Sequence, residues 1–353
     1  MINIISTLSE EVENGRDTAL ASLIWSTGSI PMSEQAKLVL LESGEMVGTI
    51  GGGCLEADIY ECCRSVLKTG QSERFNYTMT EKQAGEDGLN CGGSVEIFIE
   101  KVSTGTVNVF SAIKSLLKQR SKFCSVVGLN GSKRILIDDG GRILYNEGPS
   151  IESSHAIEIA KKSLMKRKGF IYKNDNVHCS EDIFVEPYLP QPKLYIFGGG
   201  HVGAEVAKLA KNVGFRVAIL DDRPHFANQI RHPYCDEYYT GEIIDLFPQL
   251  LIDDYTYILA VTRGHQHDEL VVEQALQTPA FFIGMLGSER KKKILWEKLL
   301  DRGVEEESLL RVSSPVGLNV GADNPEEIAV SILAELIKVR RGIKREWKTK
   351  KGL

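Results

Sequence analysis

The chain has 353 residues, 42% of them hydrophobic and 25% charged, with a formal net charge of -6. That length and apolar share support a buried core and about two ordinary domains, whereas the acidic balance excludes a general affinity for nucleic acid or anionic membranes, which needs a basic surface. No apolar run approaches the roughly 20 residues of a membrane span, residues 1–13 lack the basic leader and apolar core of a signal peptide, and seven cysteines without a CxxC pair favour reduced, cytoplasmic thiols over a disulfide scaffold, a structural zinc or a ferredoxin-like cluster.

Residues 38–41 and 46–50 read as two strands joined at Ser43-Gly44-Glu45, a hairpin. After Gly51-Gly52-Gly53-Cys54, the apolar positions Leu55, Ile59, Cys63, Val66 and Leu67 recur at helical spacing and stop at Gly70, a suitable C-cap. Residues 94–100 alternate, with Val95, Ile97 and Ile99 on one face, which predicts a half-buried strand just after Cys91-Gly92-Gly93. Helices are expected near residues 109–119 and 152–167 and strands near 124–127 and 134–138; this middle stretch carries no legible chemistry. Pro187, Pro190 and Pro192 cannot easily continue a helix or an interior strand, so the domain boundary is placed there, giving domains 1–190 and 191–353.

The second domain alternates more regularly: strand 194–197, helix 202–213, strand 216–220, then strands 257–261 and 281–285. Asp323 or Asn324 can cap a last helix, with Pro325 in its first turn and Glu326 and Glu327 at its positive end. The only marked charge run, 338–351, ends the chain as a solvated segment. The expected fold is α/β, an amino-terminal α+β domain followed by a Rossmann-type doubly wound parallel sheet.

Three strand-turn-helix junctions in the second domain could carry chemistry. Gly198, Gly200 and Gly203, with His201 at the helix entrance, let the backbone approach a pyrophosphate, and Asp221, closing the next strand, could bind a ribose; the alternative is the same scaffold with an empty loop or another ligand. Thr262-Arg263-Gly264-His265-Gln266-His267-Asp268 lies at the carboxyl rim of a strand, where ligands sit, or else is a polar loop in which Asp268 caps a helix. Gly287, Ser288, Arg290 and Lys291 would form a second anion pocket or simply a capped basic helix. In the first domain Cys54 follows three glycines and precedes a helix, a setting that favours a thiolate able to bind a soft metal. Cys91 is a candidate second thiol, and Cys63 and the remaining cysteines read as inert.

Together these motifs resemble the XdhC/CoxI family of xanthine dehydrogenase accessory proteins. The matching segments include Thr27-Gly28-Ser29-Ile30-Pro31, Gly48-Thr49-Ile50-Gly51-Gly52-Gly53-Cys54-Leu55-Glu56, Cys91-Gly92-Gly93, residues 197–203, Asp221-Asp222-Arg223-Pro224, and residues 262–268, 284–288, 315–318 and 325–335. Where many members look like Thr-His-Asp-His, this chain has Thr262-Arg263-Gly264-His265, keeping Thr262, His265 and Asp268 and adding His267. The resemblance implies a protein that binds molybdenum cofactor, as molybdopterin or its dinucleotide form, protects it, supports its sulfuration by a cysteine desulfurase and delivers it to a xanthine dehydrogenase-type molybdoenzyme. The residue reading fits this: Cys54, with Cys91 as the candidate second thiol, could contact molybdenum or its dithiolene. Gly52, Gly53, Gly198, Gly200, His201, Gly203, Asp221, Arg223, Thr262, His265, Asp268, Gly287, Ser288 and Arg290 would bind the rest, and a homodimer stays open. The chain is too short for, and lacks the cysteine groupings of, a complete xanthine dehydrogenase. The rivals are an NAD(P)-dependent oxidoreductase, with Asp221 on the ribose and His265 or His267 as acid or base, and a regulatory module that senses a nucleotide.

Overall fold

A computed structural model describes residues 2–28, 30, 32–33, 35–78, 93–174 and 177–342. They fall into two compact units, Met1–Pro190 and Gln191–Leu353.

The first unit opens with helix α1 (Ile2–Glu13), then strands β1 (Thr18–Thr27), β2 (Lys37–Leu41) and β3 (Met46–Thr49), helix α2 (Gly53–Thr69), and strands β4 (Glu73–Thr78) and β5 (Ser94–Val102). These strands form an antiparallel sheet in the order β3-β2-β1-β5-β4. Helix α3 (Val107–Lys118), strands β6 (Phe123–Gly128), β7 (Arg134–Asp138) and β8 (Ile143–Glu147), helix α4 (Ser153–Lys166), and strands β9 (Phe170–Tyr172) and β10 (Ile183–Tyr188) follow. Their sheet runs β8-β7-β6-β10-β9, also antiparallel.

Helix α2 buries Leu55, Ile59, Cys63 and Val66 against Ala19, Ala21, Leu38, Leu40, Ile97 and Ile99 of the first sheet, and Gly70 closes it in a left-handed C-cap. The last turn needs that conformation, which glycine adopts without a Cβ penalty. Helix α4 covers the second sheet through Ala156, Ile159, Ala160 and Leu164.

Strand β5 departs from the half-buried expectation, because Glu96, Phe98 and Glu100, on the face opposite Val95, Ile97 and Ile99, are buried too. Their face meets the second sheet. Glu100 is paired with Arg134 of β7, Lys37 of β2 with Glu186 of β10 at 2.8 Å, and Arg74 of β4 with Asp182 at 2.8 Å. Alternating charge therefore marked an interior layer of matched ions. Burial of such pairs is tolerable because each charge finds its partner, and removing one partner costs about 3–5 kcal/mol.

Pro187 also corrects its expectation, since β10 lies between β6 and β9. β9 pairs only with Ile183, Phe184 and Val185, so the ladder on that side has ended before Pro187, where a missing N–H costs nothing. The Pro187 carbonyl accepts instead from Gln35 Nε2 at 3.4 Å.

The second unit is built on a parallel sheet. Its strands are β11 (Lys193–Phe197), β12 (Arg216–Asp221), β13 (Glu237–Thr240), β14 (Thr256–Ala260), β15 (Phe282–Met285) and β16 (Val312–Ser313), in the order β13-β12-β11-β14-β15-β16. The four central strands, β12, β11, β14 and β15, are buried on both faces, as a doubly wound sheet requires. Helices α5 (His201–Asn212) and α10 (Pro325–Arg340) pack with Leu194, Ile196, Val217, Ile219 and Leu259 on one face. Helices α6 (Ile243–Leu246), α7 (His265–Leu276) and α8 (Glu289–Asp301) pack with Tyr195, Phe197, Leu220, Ile258 and Ala260 on the other, and a short helix α9 (Glu306–Leu309) precedes β16. Asn324, not Asp323, caps α10, accepting from the Glu327 N–H at 2.9 Å, while Glu327 accepts in return from the Asp323 N–H.

Candidate functional site

In the first unit the chain passes from β3 to α2 through Gly51, Gly52 and Gly53, whose φ values of 122°, 75° and 64° form a left-handed run that side chains disfavour. A Cβ on Gly51 would lie 2.6 Å from Met32 Cε, whereas one on Gly52 would meet open space. Glu56, one turn into α2, holds the turn from within. Its Oε1 accepts from Thr49 Oγ1 at 2.6 Å and from the Ile50 N–H at 3.0 Å. Burial alone would raise the Glu56 carboxyl, but the hydrogen bonds from Thr49, Ile50 and Gly52 outweigh it and keep its pKa below the ordinary carboxylate range. Glu56 was legible only as the last letter of a motif; an acid in a helix's first turn behind a glycine run is the signal of such a tie.

Cys54 stands exposed in the first turn of α2. The other described cysteines are covered to varying degrees: burial pushes the Cys63 and Cys235 thiols up to about 12, and raises Cys62 and Cys124 as well. Raised thiols stay protonated and unreactive. Cys91 and Gly92 lie outside the described residues.

In the second unit each glycine of the 198–203 turn has its own reason. A Cβ on Gly198 (φ 118°) would lie 2.3 Å from the Val261 carbonyl oxygen, and one on Gly203 would lie 1.9 Å from the Gly198 oxygen. These are backbone contacts that cannot yield: Gly198 lets the turn pass close to the chain leaving β14, and Gly203 lets α5 pack closely on the end of β11. Gly200 differs, since a Cβ there meets nothing within 4 Å. It and the exposed His201 mark the N-terminal end of α5, where free N–H groups face outward.

Asp221 is tied down. Its Oδ2 accepts from the Gly199 N–H at 2.9 Å and from Arg223 NH2 at 3.0 Å, and its Oδ1 accepts from the Arg223 N–H at 3.1 Å and Nε at 2.8 Å. Burial opposes the charge, yet the bonds from Arg223 and Gly199 keep the carboxyl below its ordinary pKa. The Arg223 guanidinium lies over the Phe226 ring at 3.7 Å, and that of Arg231 lies over the same ring at 4.4 Å while its Nε donates to the Gly199 oxygen at 3.3 Å. The residues after β12 thus fold back over Gly199. Beneath them His232 is fully buried, with Nε2 against the Phe226 oxygen at 2.9 Å, and burial lowers its pKa. Phe226, Arg231 and His232 escaped the sequence reading, because nothing in their local pattern says that this segment returns to the glycine turn.

A small solvent-open cleft lies beside the turn, lined by Gly198, Asp222, Arg223, Thr262, Arg263 and His267, with Ile243 and Leu246 as its apolar wall. Arg263 pairs with Asp222 at 2.6 Å. Asp268 is buried behind the cleft, accepting from the Thr262 N–H at 3.0 Å and Oγ1 at 2.7 Å, and it is also paired with Lys291. Lys291 therefore links the two rim loops and is neutralised there. Ser288 caps α8 by accepting from the Lys291 N–H at 3.2 Å, and Arg290 is exposed. A Cβ on Gly287 would strike the Lys291 side chain at 2.7 Å. The His265 side chain is outside the description. Of the expected residues, the structure gathers Gly198, Asp221, Arg223 and Thr262 on the cleft; Gly200 and His201 lie at the helix entrance, and Ser288 and Arg290 at the start of α8.

Comparison with known proteins follows the same two segments. Residues 12–78 match the model of the XdhC and CoxI family, and residues 194–336 match that of the XdhC Rossmann domain. The chain is 24% identical over 350 residues to a probable xanthine dehydrogenase subunit from Bacillus subtilis, covering 97% of this chain and 99% of that protein. It is 22% identical over 340 residues to the molybdenum cofactor insertion chaperone PaoD of Escherichia coli K12, covering 94% of this chain and 86% of the other. A crystal structure described as a xanthine dehydrogenase from Bacillus halodurans superposes with a TM-score of 0.76 at 26% identity, covering 98% of this chain and 96% of that one.

Proposed function

The chain belongs to the XdhC and CoxI family, and from that premise we propose that it is a xanthine dehydrogenase accessory protein that binds molybdenum cofactor, supports its sulfuration and hands it to a molybdoenzyme. The observation that carries this reading is the exposed Cys54 thiol behind three left-handed glycines, in a chain similar along 94% of its length to a molybdenum cofactor insertion chaperone.

The residues suit the group. Among the described residues no cluster of three or more His, Cys, Asp or Glu could hold a metal ion. A metal that arrives already held by the dithiolene of its cofactor needs only one further ligand, and an exposed thiol at a helix N-terminus offers it. When bound, the cofactor supplies the redox and oxo or sulfido exchange chemistry of the recipient enzyme. Within the first unit Cys54 would be the ligand and Glu56 holds the turn that presents it; within the second, the N–H groups at Gly200 and His201, or the capped start of α8 at Gly287, Ser288 and Arg290, would offer a phosphate site. Cys91 is assigned the second thiol. The partners of this reading are a cysteine desulfurase and the recipient molybdoenzyme, met in the cytoplasm, where thiols stay reduced.

The test is anaerobic incubation of the purified full chain with molybdenum cofactor, followed by gel filtration and measurement of coeluting molybdenum and pterin fluorescence. Wild type should retain both, and Cys54→Ala should lose at least about tenfold of the retained molybdenum with an unchanged thermal midpoint. A wild-type chain that retains neither overturns the reading.

The strand order and glycine turn also fit a dinucleotide-dependent oxidoreductase. Against it stands the engaged carboxylate of Asp221.

A further inference from the structure

The Rossmann cleft carries a selectivity device that neither its fold nor its glycine pattern announces. In a dinucleotide site of this topology, the acid closing the second strand must offer a free carboxylate edge to a ribose diol. A carboxylate has two oxygens and about four lone-pair positions. On Asp221 four donors are already seated: the Gly199 N–H, and from Arg223 its own N–H, Nε and one terminal nitrogen. The side chain is only 3% exposed.

Arg223 is preorganised for this role by what surrounds it. Its guanidinium rests on Phe226 at 3.7 Å, and Phe226 is held in place beside Gly199, where the Phe226 oxygen would lie 1.9 Å from an added Cβ. Asp222 lies 3.8 Å from the Arg223 Nε on one oxygen and holds Arg263 at 2.6 Å on the other. The two acids and two arginines balance, so the cleft offers no surplus charge to draw Arg223 away. Gly200, in contrast, keeps open space in front of it.

We propose that Arg223 is a specificity-determining latch, closing Asp221 to a ribose diol so that the cleft rejects NAD-type dinucleotides and admits phosphoesters that present no vicinal diol at that position. This deepens the cofactor-binding reading and rests on it only in taking the cleft as a ligand site. A pterin phosphate monoester is a ligand of the admitted class. Arg223 acts through Asp221 and is a positioning residue.

The test is a gain of function in the full chain, read as NADH binding by fluorescence enhancement and calorimetry. Wild type should bind NADH weakly. Arg223→Ser, which frees two edges of Asp221, should bind it at least about tenfold more tightly, the value expected for a restored hydrogen bond to a charged group. Adding Asp221→Asn to Arg223→Ser should abolish the gain, whereas a gain from surface charge alone would survive it. Arg223→Lys, which keeps the charge but loses the two-pronged grip, should show an intermediate gain and serves as the variant should Arg223→Ser melt early. Tight NADH binding by wild type, or unchanged affinity in a folded Arg223→Ser or Arg223→Lys, overturns the latch. Cofactor retention is measured separately, so failure there condemns the cofactor reading and leaves this result standing.

Discussion

At the scale of single residues, the carboxylates beside the glycine turns and the rim loop are spent on the fold. Glu56, Asp221 and Asp268 each accept hydrogen bonds from the loop that precedes their helix or follows their strand. Glu56 illustrates the consequence for pH. Its folded pKa is depressed relative to 4.5, so its contribution is fully present above the unfolded pKa and fades as pH falls through the folded value. Glu56→Gln should therefore lower stability by about 1–2 kcal/mol near neutral pH, the cost of hydrogen bonds to a charged acceptor. The gap from wild type should begin to narrow as pH falls below the unfolded carboxyl value of about 4.3 and close only once it has passed the depressed folded value, where the native carboxyl is protonated. Chemical denaturation at neutral and acidic pH measures it, and a gap that widens in acid would refute the assignment.

At the scale of elements, the glycine turn before α5 separates two uses of the same residue. Gly203→Ala drives a Cβ to within 1.9 Å of a backbone oxygen, so the helix must move off its strand, an overpacking of at least about 1–3 kcal/mol. Gly200→Ala meets open space at an ordinary φ of -71°. The thermal midpoint should fall in Gly203→Ala and stay near wild type in Gly200→Ala, while binding of a phosphorylated ligand should weaken in the latter, whose methyl occupies the approach to the α5 N-terminus. Equal melting of the two variants would show that the packing argument is wrong. Elements of this kind are legible because their signals are local. Helix α2, for example, reads from Leu55 to Gly70 by apolar spacing and a C-cap. Strand β1 is not legible in the same way, since Thr18–Thr27 is a mostly apolar run with no alternation to mark a sheet, and α1 lacks acidic residues in its first turn and basic ones in its last.

At the scale of the whole molecule, each compact unit has its own cores. The second unit places two hydrophobic clusters on the two faces of one parallel sheet. We predict that residues 191–353, expressed alone, fold with a single cooperative thermal transition and dispersed amide resonances; a molten spectrum would show that this unit depends on the rest of the chain. By itself the sequence determined the α/β class, the Rossmann sheet, its glycine turn and the family, because glycines, caps and apolar periods act on neighbours a few positions away. Only the tertiary structure decided which charges are spent inside. Glu100 meets Arg134 across 34 positions and Lys37 meets Glu186 across 149, and a strand pattern cannot distinguish a carboxylate facing water from one facing a buried cation. The same holds for Asp221. Its place at the end of β12 was readable, but whether it waits for a ribose or is already held depended on Phe226 and Gly199 fixing the position of one arginine.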